Sequence, residues 1–532
     1  MTLLARTVIH FRSLPACLLL AMALAAASLS FAQETIEPDL LQQALRRISV
    51  DRLIADVRRL SSEEFQGRQT GTAEDLSSAW WVAERWRALG LLPFVPTPLR
   101  AETDVLTTRG QDPSPAGSLA SLTQPWMMGK PVPVVRIPTP PTLQVITGSL
   151  VLTAIAGSDY LPVLDSPSVD IQAPVSFVGY GISDPAQGYD EYQGLEVKGR
   201  IVVFLRGKPA WYERMVSHAD KVRTAQSKGA VGYLTLTGPV MSAYEARRGV
   251  GTAPLAYYGS PDSGKDRPLP GAWVSPALVE SMLYRVGDEQ SFSLQIVQEQ
   301  IQQKKAPQSR QTDTEVRLRW ESVTDTGTLC NVIGLIEGRD PNIRNESIVI
   351  GAHRDHFGRQ GGLLFPGADD NASGTAVILE VARLFMESDP KPARSIIFIS
   401  FSGEEQGLWG SKLYVAQSPR PLAQIRAMIN IDHAGIGNGR LTVGVTGLDQ
   451  SVMARAAEPA ELTDRLDLFG FFPGGDHVPF KEAGVPTVTV VSGGPHPHYH
   501  QPADRVETIN PDVLMTATRY VLALAWHLAN QP

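Results

Sequence analysis

The chain has 532 residues, 43% of them hydrophobic, with 48 Lys and Arg against 55 Asp and Glu and a formal net charge of −7. That balance excludes the basic face a nucleic-acid partner requires. The length exceeds one ordinary domain and predicts two or more.

The first residues read as a targeting segment. Arg6 and Arg12 precede an apolar, small-residue run at 14–32 that ends in the small-x-small pattern Ser30-Phe31-Ala32. This predicts a secretory signal peptide over 1–32. The competing reading is a membrane anchor, because the run has about the length of a spanning helix; its Ala- and Ser-rich end favours cleavage. Cleavage removes two arginines and no acid, which takes the formal charge from −7 to −9. Cys330 then stands as the only cysteine, so an exported chain would hold no internal disulfide. No other long apolar segment occurs, and the expectation is a periplasmic or extracellular protein without stable membrane insertion.

Residues 40–92 predict helices. In "AEDLSSAWWVAERWRALGLLP", Leu76, Trp80, Ala83 and Arg87 recur at helical steps, Gly90 suits a helix end and Pro93 stops continuation. The 33–145 segment thus opens as the N-terminal part of the last domain, and its stretch 109–144, rich in Pro, Gly and Ser, predicts a linker with at most short edge strands. Between about 146 and 312, "APVSFVGYGI", "GRIVVFLRG" and "GAVGYLTLTG" are short β-rich runs bounded by Gly, with a helix over 218–229. This is the pattern of a small β-rich domain. The remaining segment, 313–532, alternates apolar strands ("CNVIGLIEG", "ESIVIGAH", "ARSIIFISFSGEE", "RAMINID", "VPTVTVVSG") with helices. One helix carries Val377, Val381 and Leu384 on one stripe, and another closes the chain. Strands this apolar imply a mainly parallel, mixed sheet covered by helices on both faces, a three-layer α/β/α sandwich.

Seven of the ten histidines (His353, His356, His433, His477, His496, His498, His500) lie between 353 and 500. Charged residues follow apolar strands there: His353, Glu404 with Glu405, and Asp432, while Asp369 and Asp370 precede a helix. Ligands of open α/β sheets bind outside the carboxyl ends of strands, so these residues can share one cleft. Each also has a bland reading. Asp369 or Asp370 suits an Asx-turn or helix cap. Ser402 with Glu405 fits a capping box. His353 suits a strand-end histidine, Asp432 a surface acid and His500 a polar loop. Together, charge recurring after apolar strands is not what strand packing asks for. Two histidines and three carboxylates suit a divalent metal such as zinc, and a carboxylate can bridge two ions.

"GAHRDHFG", "PGADDNASG", "SGEEQGLWGS", "INIDHAG" and "YHQPAD" occur in this order. They resemble the co-catalytic zinc peptidases of metallopeptidase clan MH, which include secreted bacterial aminopeptidases and glutamate carboxypeptidase. The segment "GYDEYQGLEVKGRIVVFLRG…KVRTAQSKGAVGYLTL" resembles a protease-associated domain inserted into that fold. The resemblance implies two zinc ions per chain, with Asp370 bridging, His353 and Asp432 completing one position, and Glu405 and His500 the other. It makes Glu404 the general base, and Asp355 the group that orients His353, with Asp504 in a similar part near His500. His433 and Phe472 are expected to touch substrate, whereas Asp369, His356, His477, His496 and His498 are read as loop or cleft-lining residues. The family often carries Tyr or Ser where this chain has Phe472 and Gly475, which leaves oxyanion stabilisation to the zinc ions or another group. Phe471 and Phe472 either wall a side-chain pocket or pack into the core. The peptide after the bridging Asp is often cis in that family, here Asp370–Asn371.

The activity this implies is removal of N-terminal residues from peptides by a two-zinc-activated water. Two alternatives compete: a glutaminyl cyclase-like acyltransferase, generally with one zinc, and a non-catalytic receptor-like ectodomain, which would have lost ligands.

Overall fold

The computed structural model describes residues 40–95, 124–241, 251–259, 269–284 and 292–531. The predicted signal peptide and much of the predicted linker lie outside them. The main sheet has nine strands: β1 (Leu92–Pro93), β2 (Met127–Arg136), β3 (Val323–Ile336), β4 (Ser347–His353), β5 (Ser395–Phe401), β6 (Ile425–Ile431), β7 (Leu441–Thr446), β8 (Leu466–Phe469) and β9 (Thr487–Ser492). Their order is β1-β3-β5-β4-β6-β9-β7-β8, with β2 also paired to β3. The centre, β5-β4-β6-β9, is parallel. The flanks bring in antiparallel pairs, β3 against β5 and β7 against β9.

All of β4 and β5 is buried. Successive side chains point to opposite faces, so one apolar run feeds two cores. Ile348, Ile350, Ile396 and Phe398 pack on one face with α1 (Val50–Leu60), α2 (Ala73–Leu89), α3 (Gly374–Glu387) and α4 (Pro511–Asn530). Val349, Ile397, Ile399 and Phe401 pack on the other with Leu413, Tyr414 and Phe480, from the helices Trp409–Ala416 and His477–Glu482. The result is the α/β/α sandwich.

Between β2 and β3 the chain builds a second, eight-stranded sheet. It opens with Thr142–Thr147 and closes with Arg310–Trp320, so it extends beyond the expected 146–312 on both sides. Arg310–Trp320 pairs with Thr142–Thr147 on one side and Val169–Phe177 on the other. Its polar and apolar residues alternate, and the apolar ones are the buried face. The expectation of only short edge strands in the linker also fails: β2 is ten residues long and pairs with β3 from Met128 to Arg136. Pro131 and Pro133 within it lack N–H groups, which an edge strand tolerates.

Candidate metal centre

The parallel strands β4, β5, β6 and β9 end on the same side of the sheet. His353 is the last residue of β4 and lies beside Phe401, the last of β5. The turn after β5 carries Glu404 and Glu405, and the turn after β6 carries Asp432 and His433. The segment before α3 supplies Asp370, and the loop after β9 supplies His500. The Asp370–Asn371 peptide is cis.

His353 Nε2 lies 3.4 Å from Asp370 Oδ1 and 3.4 Å from Asp432 Oδ1. His500 Nε2 lies 3.2 Å from Asp370 Oδ2 and 3.4 Å from Glu405 Oε2. The spacing is informative. Two ligands each about 2.0–2.1 Å from one ion in tetrahedral geometry stand about 3.3–3.4 Å apart. Optimal charge-assisted hydrogen bonds are shorter, about 2.7–2.9 Å. Asp432 Oδ1 is buried and makes no hydrogen bond, although polar atoms of that kind are normally paired. The two oxygens of Asp370 thus face two separate histidine–carboxylate pairs, and the donor set fits two zinc ions.

Electrostatics favour the same reading. Burial pushes the carboxyl groups of Glu404 and Glu405 well above the ordinary range, and neighbouring acids add to this: Asp476, Asp432 and Asp370 for Glu404, Asp370 and Glu404 for Glu405. Burial opposes a charged His353, yet Asp432, Glu404 and Asp370 outweigh it and push its pKa up. Acids repelling one another at close quarters are what bound cations relieve.

The scaffold is built from hydrogen bonds. Asp504 accepts from the backbone N–H groups of Asp369 at 2.8 Å and Asp370 at 3.0 Å, which fixes the Asp370 segment rather than His500. Asn371 Nδ2 donates to Ile431 O at 2.9 Å and ties the Asp370 segment to the end of β6. Asp355 accepts from Thr70 Oγ1 at 2.8 Å and from Glu404 N at 3.3 Å. Its carboxylate stands 3.7 Å from His353 Nδ1, while its own carbonyl is closer, at 3.2 Å. The orienting group for His353 is therefore the Asp355 backbone more than its side chain.

Several bland readings do not survive. Ser402 caps no helix at Glu405; its hydroxyl donates to Asp75 at 2.8 Å, and the next helix starts at Trp409. Asp369 reaches across to the turn after β6, where Oδ1 accepts from Gly435 N at 2.7 Å and Ile436 N at 3.0 Å. His496 Nδ1 lies 2.6 Å from Asp369 Oδ2, and its Nε2 lies 3.0 Å from Ser492 O. His356, expected only to line the cleft, sits 2.7 Å from Glu405 Oε1. Both side-chain contacts have hydrogen-bond length rather than ligand spacing. Although His356–Asp370–Glu405 and Asp369–His433–His496 are compact enough for an ion, these distances make His356 and His496 partners of carboxylates. His477 holds the Phe472 carbonyl at 2.8 Å. Residue type and spacing alone do not distinguish such histidines from ligands.

The cleft has a volume of about 270 Å³ and is lined by Asp370, Glu404, Glu405, Asp432, His433, Phe472 and His500, with Tyr257 and Tyr258 from the chain between strands of the second sheet. An adjoining cavity of about 450 Å³ shares His433, Phe472 and Tyr499 and is walled by Phe469, Phe471, Pro473 and Val491. Phe471 is thus a wall residue, not part of the core. Sequence reasoning missed Asp476, a fully buried acid pushed up to about 7 by burial although His353 pulls it down. It also missed Arg68, which donates to backbone carbonyls around the centre. The arginine in "QGRQT" gave no signal beyond its charge.

Fold and site together define a class: an α/β/α sandwich with a zinc-type histidine–carboxylate centre at the carboxyl ends of its strands. Residues 331–525 match the family model described as Peptidase family M28. Aminopeptidase YwaD of Bacillus subtilis (strain 168) is 33% identical over 224 residues, 40% of this chain and 47% of the relative. A probable leucine aminopeptidase of Arthroderma otae is 30% identical over 230 residues, 37% of this chain and 63% of the relative. The chain thus spans about half to two-thirds of the curated relatives it matches. An aminopeptidase from Aneurinibacillus sp. strain AM-1 has a similar fold, with TM-score 0.61 and 20% identity over 92% of this chain and 97% of that one. A peptidase M28 precursor from Shewanella amazonensis SB2B gives TM-score 0.63 and 18% identity over 93% and 97%.

Proposed function

We propose that this chain is an exported, two-zinc aminopeptidase that removes N-terminal residues from peptides. The observation that carries this is the pair of histidine–carboxylate sets sharing Asp370 at ligand spacing, with Glu404 beside them. His353, Asp370 and Asp432 would hold one ion, and Asp370, Glu405 and His500 the other. Bound zinc supplies Lewis acidity and lowers the pKa of water to near neutrality.

Glu404 stands apart from the ligand pairs and lines the cleft. Its carboxylate accepts the proton of the attacking water and hands it to the leaving amine, the work of a general base that becomes a general acid. Asp355 holds the Glu404 backbone N–H and so fixes the turn from which this carboxylate projects. His433 and Phe472 stand where cleft and adjoining cavity meet and would receive the substrate's first side chain. The aromatic wall of that cavity favours an apolar one. The relatives named as aminopeptidases support exopeptidase action, as does a cleft of limited volume.

The test is Glu404→Gln. The variant keeps charge-neutral shape, retains its zinc by elemental analysis and loses kcat on aminoacyl chromogenic substrates by about 10²–10⁴-fold. Near-normal turnover in a zinc-loaded Glu404→Gln protein would remove Glu404 from this role.

A further inference from the structure

The two histidines of the centre are held differently. His353 Nδ1 faces the carbonyl of Asp355, in its own loop, at 3.2 Å. His500 Nδ1 faces the carbonyl of Ala256, in the inserted domain, at 2.9 Å. A carbonyl can only accept, so His500 carries its proton on Nδ1 and presents the Nε2 lone pair to Asp370 and Glu405. The other ring nitrogen's partner sets the tautomer and orientation of a metal-binding imidazole. The contact is reciprocal, because Ala256 N donates to His500 O at 3.0 Å. His500 has a left-handed backbone, φ 55°, which this paired contact braces.

The rest of the 254–259 segment is anchored on both sides. Tyr257 O accepts from Leu164 N at 2.9 Å, and Gly259 N donates to Asp165 Oδ1 at 2.7 Å, both within the inserted domain. Tyr258 OH accepts from Gln69 at 3.1 Å and from Gln406 at 3.2 Å, both in the sandwich, and Gln406 follows Glu405. Beneath lies an apolar seam in which Leu161, Leu164, Ala256 and Tyr258 meet Phe357 and Phe365. Tyr499 stacks on the His500 ring at 3.7 Å and Phe357 meets it edge-on at 4.6 Å. Ring contacts of that kind set the plane of the imidazole. The Ala256 carbonyl selects which nitrogen faces inward.

We infer that the 254–259 segment of the inserted domain is a positioning element for the Asp370–Glu405–His500 metal position, while the His353–Asp370–Asp432 position is independent of it. The inference rests on the two-zinc reading. The inserted domain then does more than cover the cleft: its placement sets the affinity of one of the two metal positions.

The experiment is stepwise zinc titration of the full chain against a competing chelator, repeated with cobalt(II), whose visible absorption reports each coordination sphere. Ala256→Pro removes the N–H that braces His500, and Tyr258→Phe removes the hydroxyl that anchors the segment. Far-UV circular dichroism and metal-free unfolding establish that each variant folds; if Ala256→Pro does not, Tyr258→Phe decides. Loss of such outer partners typically costs about 10–100-fold in metal affinity. The expected result is a weakening of that order for one ion, with its cobalt spectrum altered and the other ion unchanged. Two ions bound as tightly as in the wild type would overturn the inference, as would equal weakening of both. A wild-type chain that takes up a single ion would sink the two-zinc reading itself and the inference with it.

Discussion

Arg68 is fully buried and its guanidinium donates to four backbone carbonyls, those of Leu60, Arg354, Pro366 and Gly367. Arg354 follows His353, and Gly367 precedes Asp369 and Asp370 by two and three residues, so one side chain clamps two segments of the proposed metal centre. Burial lowers its pKa to about 10, with Asp504, Asp355 and Asp370 opposing the fall. Arg68→Met removes all four bonds and the charge together. Charge-assisted hydrogen bonds contribute about 1.5–3 kcal/mol each, so four come to about 6 kcal/mol at the low end. Removing a charge that burial disfavours, its pKa pulled down to about 10, returns part of this. The net expectation is a loss of about 3 kcal/mol or more, with lysine a poor replacement because it lacks the planar fork. Urea unfolding of the metal-free protein measures the change directly, and zinc titration should show weaker binding in both variants. A loss under about 1 kcal/mol, or unaltered zinc affinity, would refute the clamp, since an orphaned buried acceptor alone costs that much.

Chelator dialysis should lower Tm, and zinc should restore it, because ligands that bind only the folded state stabilise it by about 4 kcal/mol at a thousandfold excess over Kd; superimposable melting curves would contradict the metal centre. Gly351 lies in the middle of β4, and a Cβ there would fall 2.4 Å from Phe401 Cε2. Gly351→Ala should therefore destabilise by about 1–3 kcal/mol, read by chemical denaturation. Glu191, in the inserted domain, is pushed up from 4.5 to about 7 by burial, although it accepts from Ile182 N, Tyr189 OH and Tyr180 N. A folded-state pKa above the unfolded value means that the folded chain holds the extra proton, so this group's contribution falls as pH rises between about 4.5 and about 7. The span is about 3 kcal/mol. Stability measured across that window should lose this component of its slope in Glu191→Gln, and an unchanged slope would show that Glu191 titrates normally.

The layers and the types of chemistry follow from the order of residues along the chain. The runs "SIVIGAH" and "SIIFISF" have no polar face, and only a sheet covered on both sides buries such strands; the structure packs alternate residues of β4 and β5 into two separate cores. The placement of His353, Glu404, Glu405 and Asp432 after apolar strands was equally legible, because strand packing gives no reason for charge there. The strands β7 and β8 were not, since "LTVGVT" and "LDLF" are short and lie among turns. Neither was the alternating strand Arg310–Trp320, whose polar half resembles a loop until two neighbours pair with it. Residue type and spacing alone do not tell these histidines apart; the motif resemblance singled out His353 and His500, and tertiary structure supplied the distances. His356, His496 and His500 are all buried beside acids of the cleft, yet the first two lie at hydrogen-bond distance and the last at ligand spacing. That difference is under 1 Å and comes from loops far apart in the chain, down to a carbonyl at Ala256, 244 residues from the histidine it orients. Composition and spacing carry no record of distances set by two domains meeting.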